Sequence, residues 1–394
     1  MERVTLPDVP WRRRPGLDAL IGALGAARFV GGAVRDTLLG SPVSDIDIAT
    51  PHPPQRVVEL ATEAGIKTVP TGIAHGTVTA VLPEGPVEVT TLRRDVATDG
   101  RHAQVAFTDD WRADAARRDF TINALYADPI SGEVFDYFGG LDDLAARRVR
   151  FIGDPYRRIA EDHLRILRFF RFLARFGDAP DPAGLDACTA RANDLMALSR
   201  ERIADELLKL LVARHAVHVV AVMIERGILR PVLPEIAGVD ALARLAGREA
   251  TSAIAPDAIR RLAALLPGDP DVAESVGARL KLSKLQRKRL ISAARPLDAE
   301  PRALAYRIGP EAATDRLLLA QADRTGDVRA LAHWTPPTLP LTGGALVARG
   351  IKAGPQVAHL LRAIEEQWIA EGFPNADRVG QIADAQVREA DSSV

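Results

Sequence analysis

The sequence predicts an α+β protein, with a small sheet domain near the N-terminus carrying the chemistry and an all-helical remainder behind it. Two patterns predict this. Residues 28 to 138 mix short β-rich runs with turns. From about Pro155 onward, apolar residues recur at helical spacing and strand signals are rare. Length is the third observation: 394 residues exceed one typical core and predict roughly two to four domains.

In the first region the expected strands are Arg28–Gly32, Asp45–Thr50, Gly76–Leu82 and Val87–Arg93, with helices at Ala33–Leu39 and Pro54–Glu63. Arg93 to Trp111 is polar, with glycine and few apolar residues, and reads as a mobile loop containing Arg101 and His102. In the helical region Ile159, Ile166, Phe169, Phe170 and Leu173 trace one apolar stripe. Ile203, Leu207, Leu210 and Leu211 trace another. Asp178–Pro182 reads as a linker between helices, and Thr335–Pro340 as a second break.

Composition narrows the function classes. Hydrophobic residues at 47% and charged residues at 26% are ordinary for a globular chain and argue against disorder. A net charge of −1 and a pI of about 6.7 give no global attraction to a polyanion, so any RNA contact must use a local basic patch. One cysteine, Cys188, excludes an internal disulfide framework or a multi-cysteine zinc site and fits a reducing, cytoplasmic compartment. Met1 to Pro15 is polar and arginine-rich without an apolar stretch, so no secretory signal is expected. No apolar run reaches membrane-spanning length.

The most informative stretch is Gly31-Gly32-Ala33-Val34-Arg35-Asp36, followed by Asp45-Ile46-Asp47-Ile48. On a strand, Asp45 and Asp47 share one face and Ile46 and Ile48 the other. Two nearby carboxylates repel unless a cation holds them. Mg²⁺ takes hard oxygen ligands and bridges to substrate phosphates. A pair of such ions about 4 Å apart can stabilise both oxygens of a phosphoryl transfer. Alone, the acid pair is as readily a solvated strand face. The glycines shift that balance, because Gly31-Gly32 ends a strand before a helix and lets a phosphate approach the backbone. Arg35, in the first helical turn, can grip phosphate oxygens. Glu88, between Val87 and Val89, is a third acid, either a metal ligand or a group behind the ligands, against the alternative of a surface glutamate.

The run from Gly31 to Gly40, with Asp45-Ile46-Asp47, resembles the first motif of class II CCA-adding enzymes and bacterial poly(A) polymerases, within the polymerase-β-like nucleotidyltransferases. That resemblance implies template-independent addition of C-C-A to the 3′ end of tRNA from CTP and ATP, with Mg²⁺ and release of pyrophosphate. Poly(A) addition, or addition of CC or A only, is the alternative. It also implies a catalytic head with a small mixed sheet over residues 1–150, a helical neck with the nucleotide-selecting motif over 151–215, and a helical body and tail binding tRNA over 216–394.

Further runs fit the same family. Arg117-Arg118-Asp119-Phe120-Thr121-Ile122-Asn123-Ala124 looks like its second motif, by which Arg118 and Asp119 handle the incoming sugar. The segment from Arg93 to Trp111 resembles the flexible loop that helps these enzymes switch from C to A. Glu161-Asp162-His163-Leu164-Arg165-Ile166-Leu167-Arg168 has the family's E-D-x-x-R-x-x-R spacing. On a predicted helix Asp162 and Arg165 lie side by side and can present acceptors and donors to a base edge. Cytosine and adenine carry an amino donor beside a ring acceptor, whereas uracil and guanine present a carbonyl there. Without the family, this pair reads as a surface ion pair. Arg168 completes the motif. Ser199 to Leu207 looks like the fifth motif, with Ser199 as a helix cap and a structural role bracing the preceding helix. Lys281, Lys284 and Lys288, expected on one helix face in a run with Arg279, Arg287 and Arg289, are the candidate RNA phosphate contacts. No His-Asp dipeptide occurs, so no HD phosphohydrolase domain is expected.

Overall fold

Alternation builds the sheet. Ile46 and Ile48 are buried at 3% and 1% exposure, whereas Asp45 is exposed and Asp47 half-buried. In chain order the strands are β1 (Arg28–Val30), β2 (Asp47–Thr50), β3 (Lys67–Gly72), β4 (Thr77–Leu82), β5 (Gly85–Thr91), β6 (Arg93–Thr98), β7 (Ala103–Phe107), β8 (Leu125–Ala127) and β9 (Val134–Asp136). Seven of them form one mixed sheet in the order β3-β4-β5-β2-β1-β8-β9. β2 runs parallel to β5, with Asp47 beside Glu88, and antiparallel to β1. The computed structural model describes residues 3–98 and 103–392, in two compact units, Met1–Pro234 and Glu235–Val394. The expected division at 215/216 falls inside the first unit.

Helices α1 (Leu17–Leu24), α2 (Gly32–Leu38), α3 (Pro54–Glu63), α4 (Trp111–Ala116) and α5 (Gly140–Ala145) belong to the sheet region. α3 packs on β3, β4 and β5 through Val57 and Ala61, both buried. Close approach requires glycine at Gly140, where a Cβ would lie 2.4 Å from the Thr121 carbonyl oxygen.

The segment expected as a mobile loop is instead an antiparallel ribbon of β6 and β7. Val96 and Thr98, and Val105 and Phe107, are β-formers at strand spacing that polar neighbours obscure. Arg101 and His102 lie outside the described residues.

Helices α6 (Pro155–Glu161), α7 (Arg165–Phe176), α8 (Pro182–Ala190), α9 (Arg200–Leu211) and α10 (Ala216–Glu225) complete the first unit. Both apolar stripes are buried as expected, Phe169 and Phe170 at 0%. Phe120 and Phe151 meet at 4.9 Å, and Phe151 stacks on Phe169 at 5.5 Å, fastening the sheet region to α7. The expected linker Asp178–Pro182 contains Ala179–Pro180, which pairs in parallel with Arg148–Val149.

One expectation fails here. Asp162 and Arg165 do not share a continuous helix. α6 ends at Glu161, Asp162 is extended at φ −153° and ψ 108°, and α7 begins at Arg165. The Asp162 carboxylate accepts from the Leu164 N–H at 3.1 Å, a local turn that competes with helix continuation.

The second unit is helical, starting with α11 (Asp240–Thr251), α12 (Ala258–Leu265), α13 (Pro270–Arg279), α14 (Lys284–Ala293), α15 (Pro301–Ile308) and α16 (Pro310–Leu319). Buried Glu249 and Asp315 anchor it by pairing with Arg260 at 2.8 Å each. Lys281 does not share the expected face. It lies between α13 and α14 with φ 53°, while Lys284 and Lys288 are four apart on α14. All three lysines are exposed. The neighbouring arginines are engaged internally: Arg279 with Glu235 and Arg287 with Glu274, both at 2.6 Å, and Arg289 with Asp315 at 2.5 Å.

Candidate active site

Where β1 turns into α2, the backbone takes a conformation open to glycine: Gly31 has φ 68° and ψ −121°. Gly31 and Gly32 line a cleft of about 510 Å³. Arg35, Asp47, Arg118, Asp119, Asp162, Arg165 and Arg168 line the same cleft, so it gathers predicted residues of three sequence motifs. Among the described residues, Arg35, Arg93, Arg117, Arg118, Arg165 and Arg168 face Asp47, Asp119 and Asp162 there, a formal surplus of three positive charges. A triphosphate suits that surplus.

Of the three expected acids Asp47 lines the cleft, and Asp45 and Glu88 do not. Asp47 enters the cleft from the start of β2, while Asp45 precedes the strand, exposed, and accepts from Ser44 Oγ at 2.8 Å. Glu88 is exposed on β5 beside Asp47. Burial, then the negative charge of Glu88, push the Asp47 carboxyl up to about 6; Asp45 adds to this and Arg118 opposes it. A cation would relieve that repulsion, so the donor set fits a hard divalent ion. Among the described residues no three His, Cys, Asp or Glu side chains converge as a metal cage. An ion that completes its shell with water and substrate phosphate needs only one or two carboxylates.

The cationic walls are held rigidly. The Arg35 guanidinium, 5% exposed, donates to Asp36 at 2.9 Å and to Asn123 Oδ1, and lies over the Phe176 ring at 4.4 Å. It is therefore a fixed positive charge beneath the glycine turn. Arg118 donates to the Tyr126 hydroxyl at 3.1 Å and to Asp114 at 3.3 Å. Buried Asp114 also takes Arg117 at 2.9 Å and the Tyr126 hydroxyl at 2.6 Å. Burial alone would raise the Asp114 carboxyl, but Arg118 and Arg117 hold it below the usual carboxylate range.

Three sets of contacts hold the remaining side chains. Asn123 donates to Asp119 at 2.9 Å, and Arg168 donates to Asp119 at 2.8 Å. Arg168 also reaches Glu206 at 3.5 Å, and Glu206 takes Arg171 at 2.5 Å. Arg165 donates to Glu161 at 2.6 Å and to the Arg158 carbonyl at 2.8 Å, and Asp162 accepts from Arg202 at 2.9 Å. Lys281, Lys284 and Lys288 belong to the second unit and are not part of this cleft. Arg117 and Asn123, members of the second motif, also line the cleft, as do Arg93 and Phe172, which were assigned no site role, and Arg202 and Glu206 hold cleft residues without lining it. Asn123 carried a signal, four residues after Asp119 in the second motif. Phe172 carried none beyond its helical stripe.

Strand order, the acid pair leading into β2 and the positive surplus before it place the protein among nucleotidyltransferases with a polymerase-β-like head. The comparisons with known proteins agree. Residues 27–150 match the poly A polymerase head domain, and residues 179–239 match a probable RNA and SrmB binding site of polymerase A. The mitochondrial CCA tRNA nucleotidyltransferase 1 of Homo sapiens is 37% identical over 88% of this chain and 83% of its own length. The CCA-adding enzyme of Leuconostoc citreum is 40% identical over 58% of this chain and 56% of its own. The Bacillus stearothermophilus CCA-adding enzyme, solved with CTP, superposes with a TM-score of 0.77 at 27% identity, covering 97% of this chain and all of that one. The chain belongs to the CCA tRNA nucleotidyltransferase family. Membership implies dependence on a divalent metal.

Proposed function

We propose that this protein adds C-C-A to the 3′ end of tRNA, using CTP and ATP and releasing pyrophosphate, without a nucleic-acid template. One observation carries the reading: the glycine turn, the Asp47 carboxylate and the pair Asp162 and Arg165 line a single cleft. Asp45 and Asp47 are the proposed ligands of Mg²⁺, with Glu88 supporting from β5. When bound, a pair of Mg²⁺ ions supplies Lewis acidity at the α-phosphate and at the attacking and leaving oxygens. Gly31 and Gly32 let the triphosphate approach the backbone, and Arg35 and Arg118 supply fixed positive charge for it. Asp119, held by Arg168 and Asn123, orients the sugar. Asp162 accepts from the exocyclic amino group of cytosine or adenine, and Arg165 donates to the adjacent ring nitrogen. Attack by the tRNA 3′-hydroxyl is in line.

Within this proposal residues 1–150 form the head, 151–215 the nucleotide-selecting neck and 216–394 the body and tail, where Lys281, Lys284 and Lys288 contact tRNA phosphates. A lone, buried Cys188 supports a reducing, cytoplasmic compartment, although the mammalian relatives are named as mitochondrial; fractionation of cells is the check. No helix among the described residues is long and apolar enough to cross a membrane.

The test is sequencing of 3′ ends after tRNA lacking CCA is incubated with all four triphosphates. C-C-A ends are expected. Runs of A, or CC ends alone, would establish the alternatives. Asp45→Ala and Asp47→Ala should each lower the rate by roughly two to three orders of magnitude, as losing a preorganised electrostatic contact does. Full incorporation by either variant refutes the metal assignment.

A further inference from the structure

Asp162 and Arg165 enter the cleft from either side of a helix break, and each is held from behind by a different group. Glu161 and the carbonyls of Arg158 and Arg117 fix the Arg165 guanidinium, at 2.6, 2.8 and 3.3 Å. None of these reaches Asp162. Its carboxylate is instead held by Arg202, whose Nη2 donates to Oδ2 at 2.9 Å and to Oδ1 at 3.2 Å. Arg202 does not line the cleft. It projects from the first turn of α9, and its own N–H donates to the Ser199 hydroxyl that caps that helix. α9 is in turn packed along α7.

This matters because Asp162 lies between two helices in an extended conformation, with, among the described residues, only the Leu164 N–H as a second donor. The cleft is rich in arginine, and Arg168 lies within electrostatic reach of Asp162. A carboxylate left loose there would turn onto a cleft arginine and lose the acceptor that an amino group needs. It would also occupy a donor meant for the base or the phosphates. A carboxylate offers about four lone-pair sites. Arg202 and Leu164 engage it from the protein side and leave acceptor capacity for the ligand.

We propose that Arg202 is a positioning residue for nucleotide selection, holding the Asp162 carboxylate so that it discriminates cytosine and adenine from uracil and guanine. The proposal rests on the reading of Asp162 and Arg165 as the base-selecting pair. It assigns to α9 a role in choosing the nucleotide, beyond bracing the helix before it.

The experiment measures kcat and KM for each of the four triphosphates, and KM for tRNA, with Arg202→Ala, Arg202→Lys, Asp162→Ala and the double variant Asp162→Ala/Arg202→Ala. Arg202→Ala should reduce discrimination against UTP and GTP roughly tenfold, the scale set by one misplaced polar contact. KM for CTP and ATP should rise while KM for tRNA stays unchanged. Arg202→Lys, which keeps the charge, should recover part of the discrimination and also serves if the alanine variant does not fold. The double variant should discriminate no worse than Asp162→Ala, because both changes remove one interaction. If Asp162→Ala loses discrimination while both Arg202 variants keep it, Arg202 has no positioning role and the base-selecting pair stands. If Asp162→Ala itself discriminates as the parent does, the base-selecting reading fails and this inference with it. Equal losses for all four nucleotides and for tRNA would make Arg202 merely structural and overturn the proposal.

Discussion

The Asp119 carboxylate takes the Phe120 N–H at 2.9 Å, the Asn123 amide at 2.9 Å and the Arg168 guanidinium at 2.8 Å. Burial alone would raise its titration point, but the charge of Arg168 and these donors outweigh it and hold the group at about 2. Asp47, another aspartate lining the same cleft, is pushed the opposite way, to about 6, first by burial and then by the negative charges of Glu88 and Asp45, which Arg118 only partly offsets. One residue type thus separates into a carboxylate satisfied by donors of the protein and a carboxylate whose repulsion a cation would relieve. For Asp119 the folded value is depressed below the ordinary 3.8, so its stabilisation is complete well above 3.8 and is lost as pH falls through about 2. In full that contribution is about 2 kcal/mol, of which about 1 kcal/mol is gone at about pH 3. Urea denaturation at about pH 7 and about pH 3 should show a larger acid loss for the parent than for Asp119→Asn, by about 1 kcal/mol. Equal losses would mean that Asp119 has no depressed titration in the fold.

Among the elements, those with internal periodicity were legible in the sequence. The alternation of Ile46 and Ile48 with acids marked β2, and the stripe from Ile166 to Leu173 marked α7. The break before α7 was not legible, because Glu161-Asp162-His163-Leu164 contains neither glycine nor proline. A side-chain bond to the Leu164 N–H ends the helix there. Nor could sequence show that Asp162 pairs with Arg202 and not with Arg165, since that contact spans 40 residues and exists only once α9 is packed. The cleft residues lying within motifs were recognisable; the pairs Arg168–Asp119 and Arg202–Asp162 were not, because they join one motif to another. The start of α9 was legible, and it makes a prediction. The Ser199 side chain accepts from the Arg202 N–H, so Ser199→Ala should lower stability by about 1 kcal/mol in urea denaturation. An unchanged midpoint would show that water replaces the cap without loss.

For the molecule as a whole, a net charge of −1 must be reconciled with an RNA substrate, and the reconciliation lies in how charges are paired. In the second unit Arg279, Arg287 and Arg289 are bound to Glu235, Glu274 and Asp315, so a dense basic run contributes little outward field from its arginines. Lys281, Lys284 and Lys288 remain exposed, beside Leu285 at 78% exposure. Affinity for a nucleic acid falls with salt in proportion to the phosphates neutralised, by slightly less than one unit of logarithmic slope per contact. If these lysines contact tRNA phosphates, replacing all three by alanine should reduce the slope of log KM for tRNA against log salt by roughly 2 to 3. KM for CTP and ATP should be unaffected, because their cleft lies in the first unit. Arg287→Ala, which removes a charge already paired with Glu274, should leave the slope where it was. A triple-lysine variant with the parent slope would move the RNA contact elsewhere on the protein, and a slope reduced by Arg287→Ala instead would mean that its ion pair opens to receive the phosphate.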